Sequence, residues 1–441
     1  MDWMLDIFNK QIDAFNKQLG KEGAGIEVKV KHRMSGLIPK PDSSEDAGDS
    51  GGRKAEGERQ HIWVKRMEEF RRALTSFLGE SPCPTADKIE KVKVALIDDG
   101  VDLSNLDSYN DVVTVTGLSY YPPDGKGERP WHRSSHGHGT IMANMIRRIN
   151  PWVSLHVMKL QDGLSSDGSR TIFAESAAKA IRGAIHRKVD IISMSWTVKQ
   201  KITSSISASM SPRPASRPAA ENNNTRTTLE ATAITMLEDA IDAAVNAGIL
   251  LFCSASDDIQ AGGMDSLPFR RAPTAIFRIG AALSQGQRDP RSEDNGRIEY
   301  FFPGNQVAEA WNPRSAETVK YHDGSSVSTA LAAGLASLII YCAIIVRDCY
   351  AHLSSSSPLR EESQELKRFQ RFATGLRNRE NMKRALDSIE HEGWEDRKFL
   401  PVWGPFGKAA DDISTPGISG KEKLQHLDKL VVGLCGKFTD A

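Results

Sequence analysis

Three side chains of the kinds used in covalent hydrolysis lie where the sequence predicts the end of a strand or the start of a helix. Asp98 follows the apolar run 92–97, His138 lies between two glycines, and Ser326 precedes a stretch of small apolar residues. A hydroxyl, an imidazole that can take its proton and a carboxylate that orients the imidazole together make an activated nucleophile. The three residues are therefore candidates for one catalytic site.

Each of the three motifs also has an ordinary structural explanation. The Asp-Asp-Gly sequence that begins at Asp98 is typical of a turn. His136 and His138 could be loop residues or a pair of metal ligands, although the segment around them offers no cysteine or acidic ligand. Ser325 or Ser328 could cap a helix without any chemical role. Only the combination of the three motifs favours catalysis.

The surrounding sequence predicts an α/β fold that would bring the motifs together. Short β-rich apolar runs at 92–97, 154–160, 191–194 and 249–253 alternate with helical patterns such as 171–187. Strands that alternate with helices predict βαβ units and a parallel sheet. Ligands of such sheets bind at the carboxyl ends of the strands, which is where the first motif falls. A generic nucleotide-binding α/β domain is the weaker alternative, because no Gly-rich phosphate loop follows a strand.

The three motifs resemble those of the subtilisin-like serine peptidases (subtilases, peptidase family S8), whose catalytic residues also follow the order Asp, His, Ser. Asp98-Asp-Gly is similar to the Asp-(Ser/Thr)-Gly of that family, and Gly-His138-Gly-Thr is similar to its His-Gly-Thr. Gly-Ser-Ser326-Val-Ser is similar to its Gly-Thr-Ser-Met-Ala. The resemblance covers roughly residues 91–345. It implies a subtilisin-like three-layer α/β fold with a mostly parallel central sheet.

The resemblance also implies a role for each residue. Ser326 would attack the scissile carbonyl, His138 would take the serine proton and give it to the leaving amine, and Asp98 would orient the imidazole. Asp99 ranks second for the role of Asp98, because alternation along the strand turns its side chain the other way.

Two further segments align with the family and depart from its pattern. Ser195, Trp196 and Thr197 align with the substrate-binding strand, which pairs with an extended peptide through main-chain hydrogen bonds. The family has smaller residues there, so Thr197 is expected to narrow the pocket. Asp257 stands where the family has the oxyanion-hole asparagine, beside the backbone N–H of Ser326 as the second donor. An ionised carboxylate would repel the oxyanion, whereas a protonated one could donate to it.

Charge and hydropathy argue against several other kinds of partner. Lys and Arg number 57, and Asp and Glu also number 57, so no net charge favours nucleic acid or an anionic membrane. The longest apolar run, near residues 331–346, is shorter than a membrane span and predicts a buried helix. We expect a polypeptide substrate, no nucleic acid and no membrane.

Other sequence features bear on the compartment and on metals. The N-terminus carries acids where a secretory signal would carry Lys or Arg, and the five cysteines are scattered without a CxxC pair. We expect reduced thiols and a cytoplasmic location. Asp107 matches a calcium-ligand position of secreted subtilases, but one carboxylate does not make a calcium site. No metal and no cofactor are expected.

Composition divides the chain into three predicted regions. Residues 1–90 form a helical N-terminal region, with a polar, Gly-rich and disordered linker near 39–58. Residues 91–350 form the peptidase domain, with a flexible insertion near 198–228 that is rich in Ser, Pro, Arg and Asn. Residues 351–441 form a charged, helical C-terminal extension.

Two functions of different kinds fit this sequence. The first is a serine endopeptidase, which the complete triad favours. The second is a catalytically weak or inactive subtilase-fold module that acts in protein interaction or signalling, which Asp257 favours. The chain also resembles modules of large fungal signalling or self-recognition proteins. That resemblance implies an intracellular, fungal type of subtilase with partner domains in a larger protein.

Overall fold

The computed structural model describes residues 27–31, 61–106, 112–122, 129–164, 170–199, 220–257, 266–292, 296–309, 320–355, 363–390, 398–436 and 438. The linker predicted near 39–58 lies outside these residues, as do the side chains that predicted a helical stretch within residues 1–35. Residues 27–31, which follow those side chains, form a strand.

A large sheet forms the centre of the described part of the chain. In chain order the strands are β1 (Glu27–Lys31), β2 (Lys93–Asp98), β3 (Val112–Ser119), β4 (Ser154–Lys159), β5 (Asp162–Leu164), β6 (Arg170–Ile172), β7 (Ile191–Met194), β8 (Val198–Lys199), β9 (Leu250–Ser254), β10 (Ser266–Leu267), β11 (Ile276–Ala282), β12 (Tyr300–Pro303), β13 (Val307–Ala308) and β14 (Tyr321–His322). The large sheet has the order β1-β3-β4-β2-β7-β9-β11-β12, and the other strands form two-stranded ribbons. All of its pairings are parallel except that of β1 with β3. The predicted fold class is confirmed.

Helices cover both faces of the sheet. The α-helices of the described residues are α1 (Ile62–Phe77), α2 (His138–Ile149), α3 (Ala174–His186), α4 (Ala220–Asn246), α5 (Ser325–Ser355), α6 (Gln364–Gly375), α7 (Arg379–Asp387), α8 (Lys408–Ile413) and α9 (Gly420–Cys435). A short 3-10 helix at Leu103–Asn105 and a π-helical turn at Trp403–Gly407 complete them.

The central strand β2 shows why the sheet needs two helical layers. Val94 and Leu96 join the hydrophobic core on the side of α2 and α5, whereas Ala95 and Ile97 join the core on the side of α3 and α4. All four side chains are buried. A parallel strand that is buried on both faces reads as a continuous apolar run, which is the pattern that made β2 recognisable from sequence.

Helix α5 is the buried axis of one layer. It is long and apolar enough to cross a membrane by length and composition, but its most apolar window is completely buried inside the protein. Its Gly334 lets it approach α2 closely, since a Cβ there would lie 3.0 Å from the carbonyl oxygen of Ile146. The predicted buried helix is therefore confirmed, and it extends beyond the run 331–346 that predicted it.

The flanking helices belong to the same core as the sheet. Residues of α1, α6, α7, α8 and α9 all join the hydrophobic cluster that contains α5. Helix α5 itself continues past residue 350 to Ser355. The domain boundaries near residues 90 and 350 stay predictions. The described helices on either side of them share one hydrophobic core with the sheet, so the core itself marks no boundary.

Most of the predicted insertion at 198–228 lies outside the described residues, and it stays a prediction. Its first two residues form β8, which pairs with β10, and α4 already begins at Ala220. Residues 200–219 lie outside the described part.

One disulfide contradicts the expectation of reduced thiols. Cys83, which follows α1, pairs with Cys349 near the end of α5, with 4.5 Å between their Cα atoms. Cys253, Cys342 and Cys435 are free and buried. An odd number of scattered cysteines carries no information on which of them meet in space, so the sequence could not reveal this pair.

Reducing the disulfide is expected to lower the free energy of unfolding by about 2–4 kcal/mol. The intact disulfide closes a long loop and so restricts the unfolded chain, and reduction removes that restriction. Denaturant titration with and without dithiothreitol measures the effect. The double variant Cys83→Ser/Cys349→Ser is the control, since the reductant should leave its stability unchanged. A wild-type stability that ignores the reductant would contradict the prediction.

Candidate active site

Asp98 is the last residue of β2 and is fully buried. One carboxylate oxygen accepts a hydrogen bond from the backbone N–H of Asp99 at 2.8 Å. Burial alone would raise the pKa of Asp98, but the charges of His138 and Arg170 outweigh it and hold that pKa well below its usual range. Asp98 is therefore an anion at neutral pH, at the carboxyl edge of the sheet.

His138 is the first residue of α2, and its ring meets Asp98. The ring atom Nδ1 lies 2.9 Å from each carboxylate oxygen of Asp98. Burial by itself would lower the pKa of His138, but the charge of Asp98 and the hydrogen bond to it raise that pKa. The side chain keeps 28% of its exposure, so the ring stays accessible from one side.

The glycines beside His138 have separate structural reasons. Gly137 has a φ of 82°, which a residue with a Cβ adopts only with strain. At Gly139 an added Cβ would lie 2.2 Å from the carbonyl oxygen of Gly100. The first glycine thus makes the turn into α2, and the second lets α2 approach the end of β2.

Asp99 anchors the loop that carries His138. Its carboxylate accepts hydrogen bonds from Ser134 Oγ at 2.7 Å, from the Gly139 N–H at 2.7 Å and from the His136 N–H at 2.6 Å. The orienting role of Asp98 and the second rank of Asp99 stay predictions. In the described structure it is Asp98 that meets the His138 ring.

Replacing Asp99 with alanine is expected to lower the free energy of unfolding by about 2–5 kcal/mol. The change leaves the buried N–H of Gly139 and the part-buried N–H of His136 without an acceptor, at a cost of about 1–3 kcal/mol for a buried group. Urea titration measures the loss. Asp242→Ala is the control, because this exposed carboxylate is paired with Arg271 and such surface pairs contribute roughly 0–1 kcal/mol. A loss at Asp99 no larger than the loss at Asp242 would contradict the assigned anchoring role.

Ser326 is the second residue of α5 and is half-buried. Its Oγ lies 3.5 Å from the carbonyl oxygen of Ser195, and the Ser195 hydroxyl donates to the Ser326 carbonyl at 3.2 Å. Within the described residues, no hydrogen bond joins the Ser326 hydroxyl to the His138 ring. The structure thus joins Asp98 to His138 and Ser326 to the segment after β7.

Ser195, Trp196 and Thr197 follow β7 directly. The Trp196 indole is buried and donates from Nε1 to the carbonyl oxygen of Ile97 at 2.8 Å. Its ring therefore ties the end of β7 to β2, and only its main chain is left for a ligand. Thr197 is half-buried.

Asp257 lies against the first turn of α5. Its Oδ2 accepts from the Ser325 N–H at 2.9 Å and lies 3.0 Å from Ser325 Oγ. Although the residue as a whole is exposed, burial of its carboxyl group outweighs the hydrogen bonds from Ser325 and raises its pKa. Asp257 thus reaches the start of the helix that carries Ser326.

Arg170 is the site residue that sequence reasoning missed. It lies on β6, and its Nη2 donates to Asp98 Oδ1 at 2.8 Å. Its Nε donates to Asp162 Oδ2 at 2.8 Å. An arginine in a short polar segment gives no signal of a partner 72 residues away, and nothing in the sequence could have found this contact.

The predicted absence of a calcium site stays a prediction. Asp107, the residue that suggested such a site, lies outside the described residues.

A mostly parallel sheet between helical layers, with ionisable and hydroxyl side chains at the carboxyl ends of its strands, is the general layout of an α/β enzyme. The sequence profile of the Subtilase family matches residues 90–343, more than half of the chain, and the chain therefore belongs to that family of serine peptidases.

Curated relatives are similar at low identity. Subtilisin E of Bacillus subtilis (strain 168) is 24% identical over 258 residues, which are 56% of this chain and 55% of the relative. The Major intracellular serine protease of the same organism is 24% identical over 230 residues, which are 50% of this chain and 60% of the relative. The chain thus spans little more than half the length of these relatives.

Solved structures give further likenesses. A lanthipeptide protease superposes with a TM-score of 0.41 and 17% identity, over 82% of this chain and 95% of its own. The prenylagaramide maturation protease PagA superposes with a TM-score of 0.42 and 16% identity, over 81% of this chain and 98% of its own.

Proposed function

We propose that this protein is a serine endopeptidase that acts through an Asp98, His138 and Ser326 triad and an acyl-enzyme intermediate. The observation that carries the proposal is the buried, ionised Asp98 carboxylate held 2.9 Å from Nδ1 of His138. An anion in this position fixes the tautomer that leaves Nε2 free to take a proton.

The reaction then runs in two stages. In the first, Ser326 Oγ bonds to the scissile carbonyl carbon as its proton passes to Nε2 of His138. The C–N bond breaks as that proton passes on to the leaving amine, which leaves an ester on Ser326. In the second, water attacks the ester carbon and gives a proton to Nε2. His138 then returns the proton to Ser326 Oγ as the acid leaves.

The proposal requires the Ser326 hydroxyl to turn from the Ser195 carbonyl toward the His138 ring. The contact that it would leave is long, at 3.5 Å, so little stabilisation is lost. Catalytic hydrogen bonds often form fully only when substrate is bound. Rotation about one side-chain bond is the movement that we expect on substrate binding.

Two groups would stabilise the oxyanion. Ser326 is in the first turn of α5, where backbone N–H groups have no acceptor within the helix and the helix dipole favours negative charge. The carboxyl group of Asp257, which contacts the neighbouring Ser325, would be the second donor in its protonated form.

The substrate would be a polypeptide in extended conformation. Its main chain would pair with the segment of Ser195, Trp196 and Thr197, because the inward-facing Trp196 indole leaves the backbone for recognition. We expect Thr197 to restrict the size of the residue that precedes the cleaved bond.

Covalent labelling with a fluorophosphonate tests the function directly, because the reagent traps only an activated serine hydroxyl. Labelling that depends on Ser326 supports the peptidase, and its absence at every pH between 5 and 9 would refute it.

A second function, a catalytically weak or inactive module for protein interaction, is favoured by two observations. The oxyanion position carries Asp257, and the described structure has no hydrogen bond between Ser326 and His138. The fluorophosphonate experiment separates this function from the first, since a module of this kind would bind its partners without reacting with the probe.

We further propose a cytoplasmic location within a larger fungal signalling protein, a proposal that rests on resemblance. The relative named Major intracellular serine protease supports it, whereas the disulfide between Cys83 and Cys349 is typical of an oxidising compartment. Alkylation of thiols in intact cells tests the location: reduced Cys83 supports the cytoplasm, and a protected disulfide contradicts it.

A further inference from the structure

The carboxylate of Asp98 has a second partner besides His138, the guanidinium of Arg170. The Arg170 side chain, which is 22% exposed, donates from Nη2 to Asp98 Oδ1 at 2.8 Å. Its Nε donates at 2.8 Å to Asp162, whose side chain is fully buried. The guanidinium is thus held between two carboxylates, one of which also holds His138.

The same guanidinium comes close to the imidazole without a favourable hydrogen bond to it. Arg170 Nη1 lies 3.2 Å from Nδ1 of His138. Nδ1 must carry a proton, because it lies 2.9 Å from both oxygens of an ionised carboxylate. Two N–H donors therefore face each other, and the positive guanidinium opposes a second positive charge on the ring.

We propose that Arg170 is a positioning residue that shares Asp98 with His138 and keeps the imidazole neutral to lower pH than Asp98 alone would allow. This inference rests on the proposed function, in which neutral His138 is the base. The guanidinium also holds the Asp98 carboxylate in place, because it donates to the same Oδ1 that accepts from the backbone N–H of Asp99. Site activity would consequently persist into mildly acidic solution.

Several other charges lie near the ring or near the groups that contact it, and they act in both directions. The negative groups favour the imidazolium and the positive groups oppose it. The negative groups are Asp98 and Asp99 at the end of β2, Asp102 in the loop that follows, and Asp162 on β5. Besides Arg170, the positive or titratable groups are Lys159 on β4 and His136 in the loop before α2. Lys159 donates to the Arg133 carbonyl and faces Asp99 more than the ring. Arg170 is the cation in hydrogen-bonding contact with Asp98, so its removal should change the ring most.

The test replaces Arg170 with glutamine and follows His138 by its ¹H NMR titration, assigned by loss of the signal in His138→Asn. We expect the midpoint to rise by about one pH unit, because a like charge is removed and Asp98 serves the ring alone. The acid limb of the fluorophosphonate labelling rate should move up by the same amount. Arg170→Lys keeps the charge and should restore most of the wild-type midpoint.

Arg377→Gln is the matched control. Arg377 also joins two carboxylates, Asp190 at 2.6 Å and Glu90 at 2.8 Å, but it lies at the amino ends of the strands, away from the site. Its loss should leave the His138 midpoint unchanged. If Arg170→Gln does not fold, Asp162→Asn serves instead: it removes a negative charge near the ring and should lower the midpoint.

The outcomes are distinct from those of the proposed function. An unchanged or lower His138 midpoint in folded Arg170→Gln, or a raised midpoint in Asp162→Asn, would overturn the role of Arg170 even in an active enzyme. A labelling rate that falls by the same factor at every pH, with no shift of its acid limb, would assign Arg170 a merely structural role. Failure of the wild type to label would refute the peptidase and still leave the NMR titration to decide the effect on the ring.

Discussion

Replacing Ser326 with alanine is expected to abolish fluorophosphonate labelling and to lower peptide hydrolysis by a factor on the order of 10⁴–10⁶. The oxygen that would form the acyl-enzyme is removed, and the neutral His138 then has no hydroxyl to activate. Subtilisin, a relative of this chain, is the reference case for the size of the loss, which is about 10⁶ when its nucleophile is removed. Rates of labelling and of peptide hydrolysis measure the effect.

Ser328→Ala is the matched control for this variant. Ser328 lies on the same turn of α5, and its buried Oγ donates to the carbonyl oxygens of Phe302 and Pro303. Its loss should lower stability slightly and leave labelling intact. Labelling that survives Ser326→Ala would show that another residue is the nucleophile, and the triad assignment would have to be abandoned.

Replacing Asp257 with asparagine is expected to raise turnover near pH 7 by a factor on the order of 10²–10³, the size of effect known for one oxyanion-hole donor in subtilisin itself. The side chains have the same shape, so the asparagine oxygen can keep the contacts with Ser325 that Asp257 Oδ2 now makes. The amide then places an N–H group at the other position, where the wild type has an anion. Stopped assays of kcat measure the gain.

The gain should depend on pH in a defined direction. Burial raises the pKa of Asp257, so its carboxyl group is protonated, and able to donate, up to a higher pH than an ordinary aspartate. Below that pKa the variant and the wild type should turn over at similar rates. Above it the wild type loses its donor, and the ratio of variant to wild-type rates should rise. Titration of His138 affects both enzymes alike and cancels from the ratio.

Asp323→Asn is the control for the Asp257 variant. Asp323 lies three residues before Ser326, but its carboxylate accepts from the backbone N–H of Gln306. The ratio of the Asp323→Asn rate to the wild-type rate should therefore not change with pH. A kcat of Asp257→Asn equal to or below that of the wild type at pH 7 and above would remove Asp257 from the oxyanion site.

Local sequence patterns were sufficient to predict the parallel sheet and to select the candidate residues of the site. The strand β2 is apolar at residues 94–97 because both of its faces are buried there, and these four consecutive residues show that property in the sequence itself. Glycine beside His138 is likewise visible, because the turn into α2 and its close approach to Gly100 exclude a Cβ. Periodicity and steric limits act between neighbours in sequence, and the sequence displays them directly.

The long-range contacts, including those that give the site its chemistry, were decided by the tertiary structure. Arg170 meets Asp98 across 72 residues, and Cys83 meets Cys349 across 266. The inward turn of Trp196 and the contact of Ser326 with Ser195 also depend on how β2, β7 and α5 close on one another. A side chain's type states what it can bind, but its partner depends on the path of the whole chain. The sequence alone thus determined the fold class and the candidate residues, and the packing of the whole chain decided which charges lie near His138.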